Sequence, residues 1–227
     1  MSTPFDSLLI AGAKLTPVNR IQFLEQCKSL WHVAPAGAWD RISRRGFLTA
    51  EQLIGEAQLD EGERRTLLTA PRRHPVSLKL ESGQVTLRDQ GPLFKTKDLQ
   101  SILGDGLSIA DWIHLLNRRV YFFTDQKNMQ ALVDKYVKLE GAQDVLILSP
   151  MRLYDVAKNR IELAAQNTGA IARRPGVKKY RNTFMPVGQF PNQKPSEVTV
   201  LDGVDDLSVI VSAERRYADR KPEQLNR

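Results

Sequence analysis

The side chains of this chain best suited to chemistry are a histidine, an arginine, two aromatics and a glutamate, spread along 227 residues. His32 interrupts the apolar, β-prone residues 30–34, so a titratable imidazole projects from a short buried strand. Glu197 opens a β-branched run, an expensive place for a carboxylate unless it faces a pocket or the strand lies at an edge. Arg88, followed by Asp89 and Gln90, leaves a predicted strand for a loop, where a guanidinium can pair bidentately with a phosphate. Tyr121 and Phe123 alternate along one strand, point the same way and could stack on a flat ring, with the Thr124 hydroxyl beside them. Each residue also has a plainer reading: a structural histidine, a turn ion pair, core aromatics, an exposed edge carboxylate.

The flanking sequence predicts the elements that must hold these groups. Residues 19–29 carry Ile21, Phe23, Leu24 and Cys27 at helical spacing and run directly into the His32 strand. Pro35 and Gly37 end that strand, residues 38–45 form a short helix, and Gly46 stops it. Thr49 followed by Gln52 is a capping box opening another helix, and residues 59–70 form one more. Residues 76–80 and 84–87 alternate about Glu81-Ser82-Gly83 as a hairpin. A short helix over 99–103 and a longer one over 108–117 precede the strongest strand signal, residues 120–124, with helical spacing again from Asn128 to Val133. Further strands are predicted at 144–148, placed centrally, at 160–164 and 184–187, and from Glu197 within residues 195–204, with 207–211 finishing the sheet and a helix at 151–157. The organisation expected is an N-terminal arm over 1–19, one α+β domain over 20–212, and a charged tail over 213–227 that frays.

Hydrophobic residues at 41% and charged residues at 26% are ordinary for a folded domain. The net charge of +7 and pI near 9.6 favour a polyanionic partner or a phosphate-bearing ligand. Residues 172–183 gather Arg173, Arg174, Lys178, Lys179 and Arg181 around Pro175, Gly176 and Tyr180, a loop composition suited to gripping a nucleic-acid strand or simply to solubility. Cys27 is the only cysteine, and His32, His74 and His114 lie far apart, so neither a disulfide nor a metal site is expected. No apolar run is long enough for a bilayer and no signal peptide is read, so a cytoplasmic location without a membrane partner is the expectation.

Leu30-Trp31-His32, an aromatic-led helix and then Arg45-Gly46-Phe47-Leu48 resemble the opening of the NAD-dependent ADP-ribosyltransferase fold. The whole chain also resembles a bacterial family distantly related to DarT-type DNA ADP-ribosyltransferases, including its Arg88-Asp89-Gln90 and Asn167-Thr168-Gly169 strings. The resemblance implies split mixed β-sheets with flanking helices, and NAD as a substrate without a metal. It gives His32 the NAD ribose, Tyr121, Phe123 and Thr124 the nicotinamide side, Arg88 the phosphates, Asn167 a place beside the pocket, and Glu197 the catalytic carboxylate. His32, the aromatic strand and Glu197 also follow the family's order along the chain. The sequence departs from DarT-type enzymes after Thr124, where Asp125-Gln126-Lys127 replaces an essential arginine, so that its role toward the cofactor is either absent, taken by Lys127, or supplied by Arg119 or Arg88. RNA 2′-phosphotransferases share the fold, but their arginine string precedes the histidine strand, whereas Arg88 follows His32. The activity implied is transfer of ADP-ribose to an acceptor, nucleic acid first. The alternative is a degenerate transferase fold that only binds nucleic acid or a nucleotide.

Overall fold

The computed structural model describes residues 19–94, 99–170, 177–218 and 221–226. The N-terminal arm expected over 1–19 lies outside these residues, except for Asn19.

Asn19 caps the first helix, α1 (Arg20–Gln26), by accepting from the Gln22 backbone while Gln22 reaches back to it. Phe23 is the buried residue of that helix, and α1 packs on α8 (Pro150–Ala157) at the back of the sheet. The strand β1 (Leu30–Pro35) follows, then α2 (Ala38–Arg45), which buries Trp39 and Ile42 and stops at Gly46, as the sequence predicts. Gly46 has φ 73°, and a Cβ there would collide with the Val204 carbonyl, to which the Phe47 N–H donates at 2.7 Å. The predicted Thr49 capping box opens α3 (Ala50–Glu56), and a second one at Asp60 opens α4 (Glu61–Thr69).

The hairpin of β2 (Val76–Leu80) and β3 (Gly83–Leu87) forms its own two-stranded sheet, with Leu80 opposite Gly83. Leu78, Leu80 and Leu87 pack on Leu53, Ile54 and Ala57 of the α3 region. A four-residue helix, α5 (Gly91–Phe94), follows the hairpin, and a 3-10 turn at Gln100–Ile102 stands where a short helix is predicted. Ser108 caps α6 (Ile109–Asn117), whose Trp112, Ile113 and Leu116 are buried.

The remaining strands are β4 (Arg119–Phe123), β5 (Gln143–Leu148), β6 (Ile161–Ala164), β7 (Met185–Pro186), β8 (Glu197–Leu201), β9 (Ile210–Arg216) and β10 (Glu223–Gln224). With β1 they form an eight-stranded sheet in the order β10-β9-β5-β1-β4-β8-β6-β7. Helix α7 (Gln126–Glu140) covers one face of it, setting Met129, Val133 and Val137 against Val33 and Val145. The opposite face carries the largest core cluster, including Leu30, Phe47, Phe122, Leu146, Val198 and Val200.

Among the described residues this is one α+β domain, and three expectations change. The sheets are not mixed, because every pair of these strands is antiparallel; a parallel bridge joins only Leu103 and Lys179. Residues 207–209 form a 3-10 turn, and the sheet-finishing strand runs on from Ile210 to Arg216. The boundary drawn at residue 213 therefore falls inside β9, and residues 223–224 pair with it instead of fraying. Asp144 anchors this segment: fully buried, it accepts from Arg215 Nε at 2.7 Å and from the Gly37 and Trp39 backbone N–H groups that open α2. A charged composition could not reveal that anchor, because its partner is a carboxylate 71 residues away.

Candidate functional site

Strands β1 and β4 meet at one register position, Trp31 opposite Phe123, whereas β1 and β5 pair along the whole of β1. The eight-stranded sheet is thus two four-stranded halves joined at that point. Beside the join lies a cavity of about 580 Å³, inside the roughly 300–1,000 Å³ span of small-ligand sites.

His32 reaches this cavity from β1. Its ring packs edge-on against Phe47, with centroids 5.1 Å apart, and its Nδ1 lies 3.0 Å from the Tyr121 carbonyl oxygen. A carbonyl only accepts, so Nδ1 carries the proton and Nε2 is left as an acceptor. Burial pushes the imidazole down to about 4, against the upward pull of that hydrogen bond and with the Arg88 and Arg41 charges adding to the fall. His32 is therefore neutral at pH 7.

Glu197 enters from the other half of the sheet, opposite Phe123 on β4, so both side chains share a face. Its Oε2 accepts from the Thr168 backbone N–H at 3.1 Å and from the Thr168 hydroxyl at 2.6 Å. Oε1 accepts no hydrogen bond among the described residues. Burial raises this carboxyl above its ordinary range, while the Thr168 bonds and the Lys179 charge hold the rise in check. Lys179 is itself buried, drawn down to about 8 by desolvation, and donates to the Asn167 carbonyl at 2.9 Å. Lys179, Asn167 and Thr168 thus form a continuous support behind the carboxylate.

Tyr121 and Phe123 both line the cavity, as their alternation requires. The Tyr121 hydroxyl donates to the Leu116 carbonyl at 3.1 Å, and burial beside Glu197 raises it far above its ordinary value. Asn167 also lines the cavity.

Other expectations need correction. Thr124 does not line the cavity; it is buried, and its hydroxyl donates to the Pro195 carbonyl at 2.9 Å, fastening β4 to the entry of β8. Arg88 does line it, yet its guanidinium is committed: Nη1 donates to the Val33 carbonyl at 3.1 Å, Nη2 to Gln143, and the group sits 4.2 Å over the Tyr136 ring. Arg119 is similarly held by Glu162 at 2.7 Å and lies 4.0 Å over Phe184. Arg88 keeps its Nε without a hydrogen bond, 3.8 Å from a Glu140 oxygen, while Arg119 spends Nε and Nη1 on Glu162 and the Leu115 carbonyl.

In the basic loop, Lys178 and Arg181 are exposed, Lys179 is buried and so cannot touch a strand running over the surface, and Arg173 and Arg174 lie outside the described residues. The Trp112 ring, 5.2 Å from the Lys179 ammonium, helps hold it inward.

The lining also includes Arg41 and Asn117, which sequence reasoning did not single out, and Arg72, whose basic run with Arg73 and His74 reads in the sequence as a solvated helix end or a nucleic-acid contact. Arg72 donates to the Arg88 carbonyl and to Asn117 Oδ1, both at 3.0 Å, fastening the hairpin to the end of α6. Arg41 shares α2 with Arg44 and Arg45, and only its place three residues after Ala38, beside the apolar stripe, distinguishes it in the sequence. Among the described residues no cluster of metal-ligating side chains occurs, and no helix is long and apolar enough to cross a membrane.

A family model described as a family of unknown function, DUF7002, matches residues 28–211, and the chain belongs to that family. The matched span contains His32, Arg41, Arg88, Tyr121 and Glu197. No curated protein matches the chain.

Proposed function

We propose that this protein is an NAD-dependent ADP-ribosyltransferase that cleaves the nicotinamide–ribose bond and transfers ADP-ribose to an acceptor, nucleic acid first. One observation carries the reading: His32, Tyr121, Phe123 and Glu197, remote in sequence, line one cavity at the join of two antiparallel half-sheets. These are the residues that the resemblance to ADP-ribosyltransferases assigns to the ribose, the nicotinamide side and the catalytic carboxylate.

The chemistry follows from charge development. Cleaving an N-glycosidic bond leaves an oxocarbenium-like ribose, which a nearby carboxylate stabilises, and the same carboxylate can accept the proton of the attacking nucleophile. Glu197 suits both tasks, because one oxygen is fixed by Thr168 and the other takes no protein donor among the described residues. Neutral His32 offers an Nε2 acceptor to a ribose hydroxyl, and Tyr121 with Phe123 supplies the flat wall. The exposed Lys178 and Arg181, with the net charge of +7, favour a polyanionic acceptor.

A second reading is favoured by the segment after β4. Asp125 there caps α7 through the Asn128 N–H, and neither Gln126 nor Lys127 lines the cavity, so nothing in that segment replaces the arginine of DarT-type enzymes. On this reading the fold is a nucleotide- or nucleic-acid-binding module without turnover. Incubation with labelled NAD and single-stranded DNA or RNA separates the two. Label on the nucleic acid with wild type and none with Glu197→Ala supports the transferase, as does growth arrest on expression that Glu197→Ala relieves. Salt-sensitive nucleic-acid binding with no NAD binding supports the module.

A further inference from the structure

We infer that Arg41 forms a phosphate-binding subsite on the His32 side of the cavity. Four guanidinium groups line this cavity, those of Arg41, Arg72, Arg88 and Arg119, and three of them are spent on carbonyl, amide or carboxylate partners within the protein. Arg41 differs in degree: both its Nε and its Nη1 are buried without a hydrogen-bond partner among the described residues, whereas Arg88 leaves its Nε so, 3.8 Å from a Glu140 oxygen. The acid nearest in sequence that influences it, Glu56, is engaged by Arg45 at 2.5 and 2.7 Å.

A guanidinium does not relieve such a situation by losing its proton near neutral pH, so buried donors without acceptors cost stability. That cost is offset when a ligand brings the acceptors, and a planar cationic fork in a cavity selects an anion. The lining carboxylates do not fill the role: Asp89 accepts from the Gly91 N–H at 2.7 Å and Glu197 is held by Thr168. Of the other lining cations, Arg119 is neutralised by Glu162 at 2.7 Å and Arg88 faces Glu140 at 3.8 Å, so the selection of a phosphate rests on the unpaired fork of Arg41 and not on a net charge of the cavity. Arg41 is also close enough for its charge to be felt at His32. The subsite deepens the transferase reading and rests on it only for the source of the phosphate, the pyrophosphate of a dinucleotide; Arg41 then does what the sequence assigns to Arg88.

The test is calorimetric titration of the full chain with inorganic pyrophosphate, comparing wild type, Arg41→Met, Arg41→Lys and, as a control on an exposed arginine of the same helix, Arg44→Ala, with a melting curve for each. The subsite requires that wild type and Arg44→Ala bind alike, that Arg41→Met binds about tenfold more weakly or worse, and that Arg41→Lys falls between them. It also requires that Arg41→Met melts no lower than wild type, since an unpaired buried charge has been removed. Equal affinity of wild type and Arg41→Met, no pyrophosphate binding by wild type, or a lowered melting temperature in Arg41→Met would overturn it.

Competition identifies the source. Displacement of pyrophosphate by ADP-ribose supports a dinucleotide, and displacement by a 5′-phosphorylated oligonucleotide alone overturns that assignment. Nicotinamide release from NAD is read separately. Arg41-dependent pyrophosphate binding without release keeps the subsite and refutes the transferase, and NAD turnover untouched by Arg41→Met does the reverse.

Discussion

His32 Nδ1 lies 3.0 Å from the Tyr121 carbonyl oxygen, bridging β1 and β4 beyond the one register position at which those strands pair. A side chain thus joins the two half-sheets where the backbone ladder has stopped, and the same bond orients the imidazole in the cavity.

A pH prediction follows directly. The folded-state value of His32 is lowered from 6.5 to about 4, so between these limits the unfolded chain binds the proton first. Stability attributable to His32 is complete above pH 6.5 and declines as pH falls toward 4, by at most about 3 kcal/mol. Denaturant titrations at pH 7 and pH 4.5 should show this loss in wild type and a smaller one in His32→Gln. An imidazole that titrates near 6.5 by NMR would contradict it.

Thr168 tests the support behind Glu197. Both Thr168 bonds favour the ionised carboxylate, so Thr168→Val, which removes the hydroxyl donor, should move the acid limb of nicotinamide release to higher pH. On the acid limb the rate should fall roughly tenfold, with recovery at more alkaline pH. A rate that falls equally at every pH would mean that the threonine only shapes the turn.

Asp144 tests the architecture instead of the chemistry. Its carboxylate accepts from two N–H groups at the start of α2 and pairs with Arg215, all at a fully buried position. Asp144→Ala should cost roughly 3–5 kcal/mol in chemical denaturation, because it strands a partly buried guanidinium and two backbone donors. Deleting residues 213–227 should also destabilise the domain, whereas a frayed tail could be removed without effect.

Nucleic-acid binding is tested at the exposed cations. Lys178→Ala with Arg181→Ala should weaken binding to single-stranded DNA of different sequences to a similar degree. The salt slope measured by fluorescence anisotropy should fall by about 0.7 for each phosphate that is no longer neutralised. Lys179→Ala should act differently, lowering the melting temperature because it removes the donor to Asn167.

The fold was most legible where local signals coincide. Helix α2 and its Gly46 stop, the Thr49 capping box and the strand starting at Glu197 stand where periodicity and turn chemistry put them. Tyr121 and Phe123 were assignable to one face because alternation in a strand leaves little choice. Burial of basic residues was not legible. Lys178 and Lys179 are adjacent in sequence, yet one is exposed and the other is held inward by Asn167 and Trp112. The same limit separates Arg41 from Arg88: how many of a guanidinium's donors find partners is not visible until the tertiary neighbours are in place.

The most direct measurement of the central claim is nicotinamide release from NAD by wild type and Glu197→Gln, with NAD affinity measured on the same preparations. The transferase account requires release by wild type, a fall of about 10²-fold or more in kcat for Glu197→Gln, and an NAD affinity that changes little. Release that survives in Glu197→Gln, or its absence in a wild-type protein that binds NAD, would contradict it.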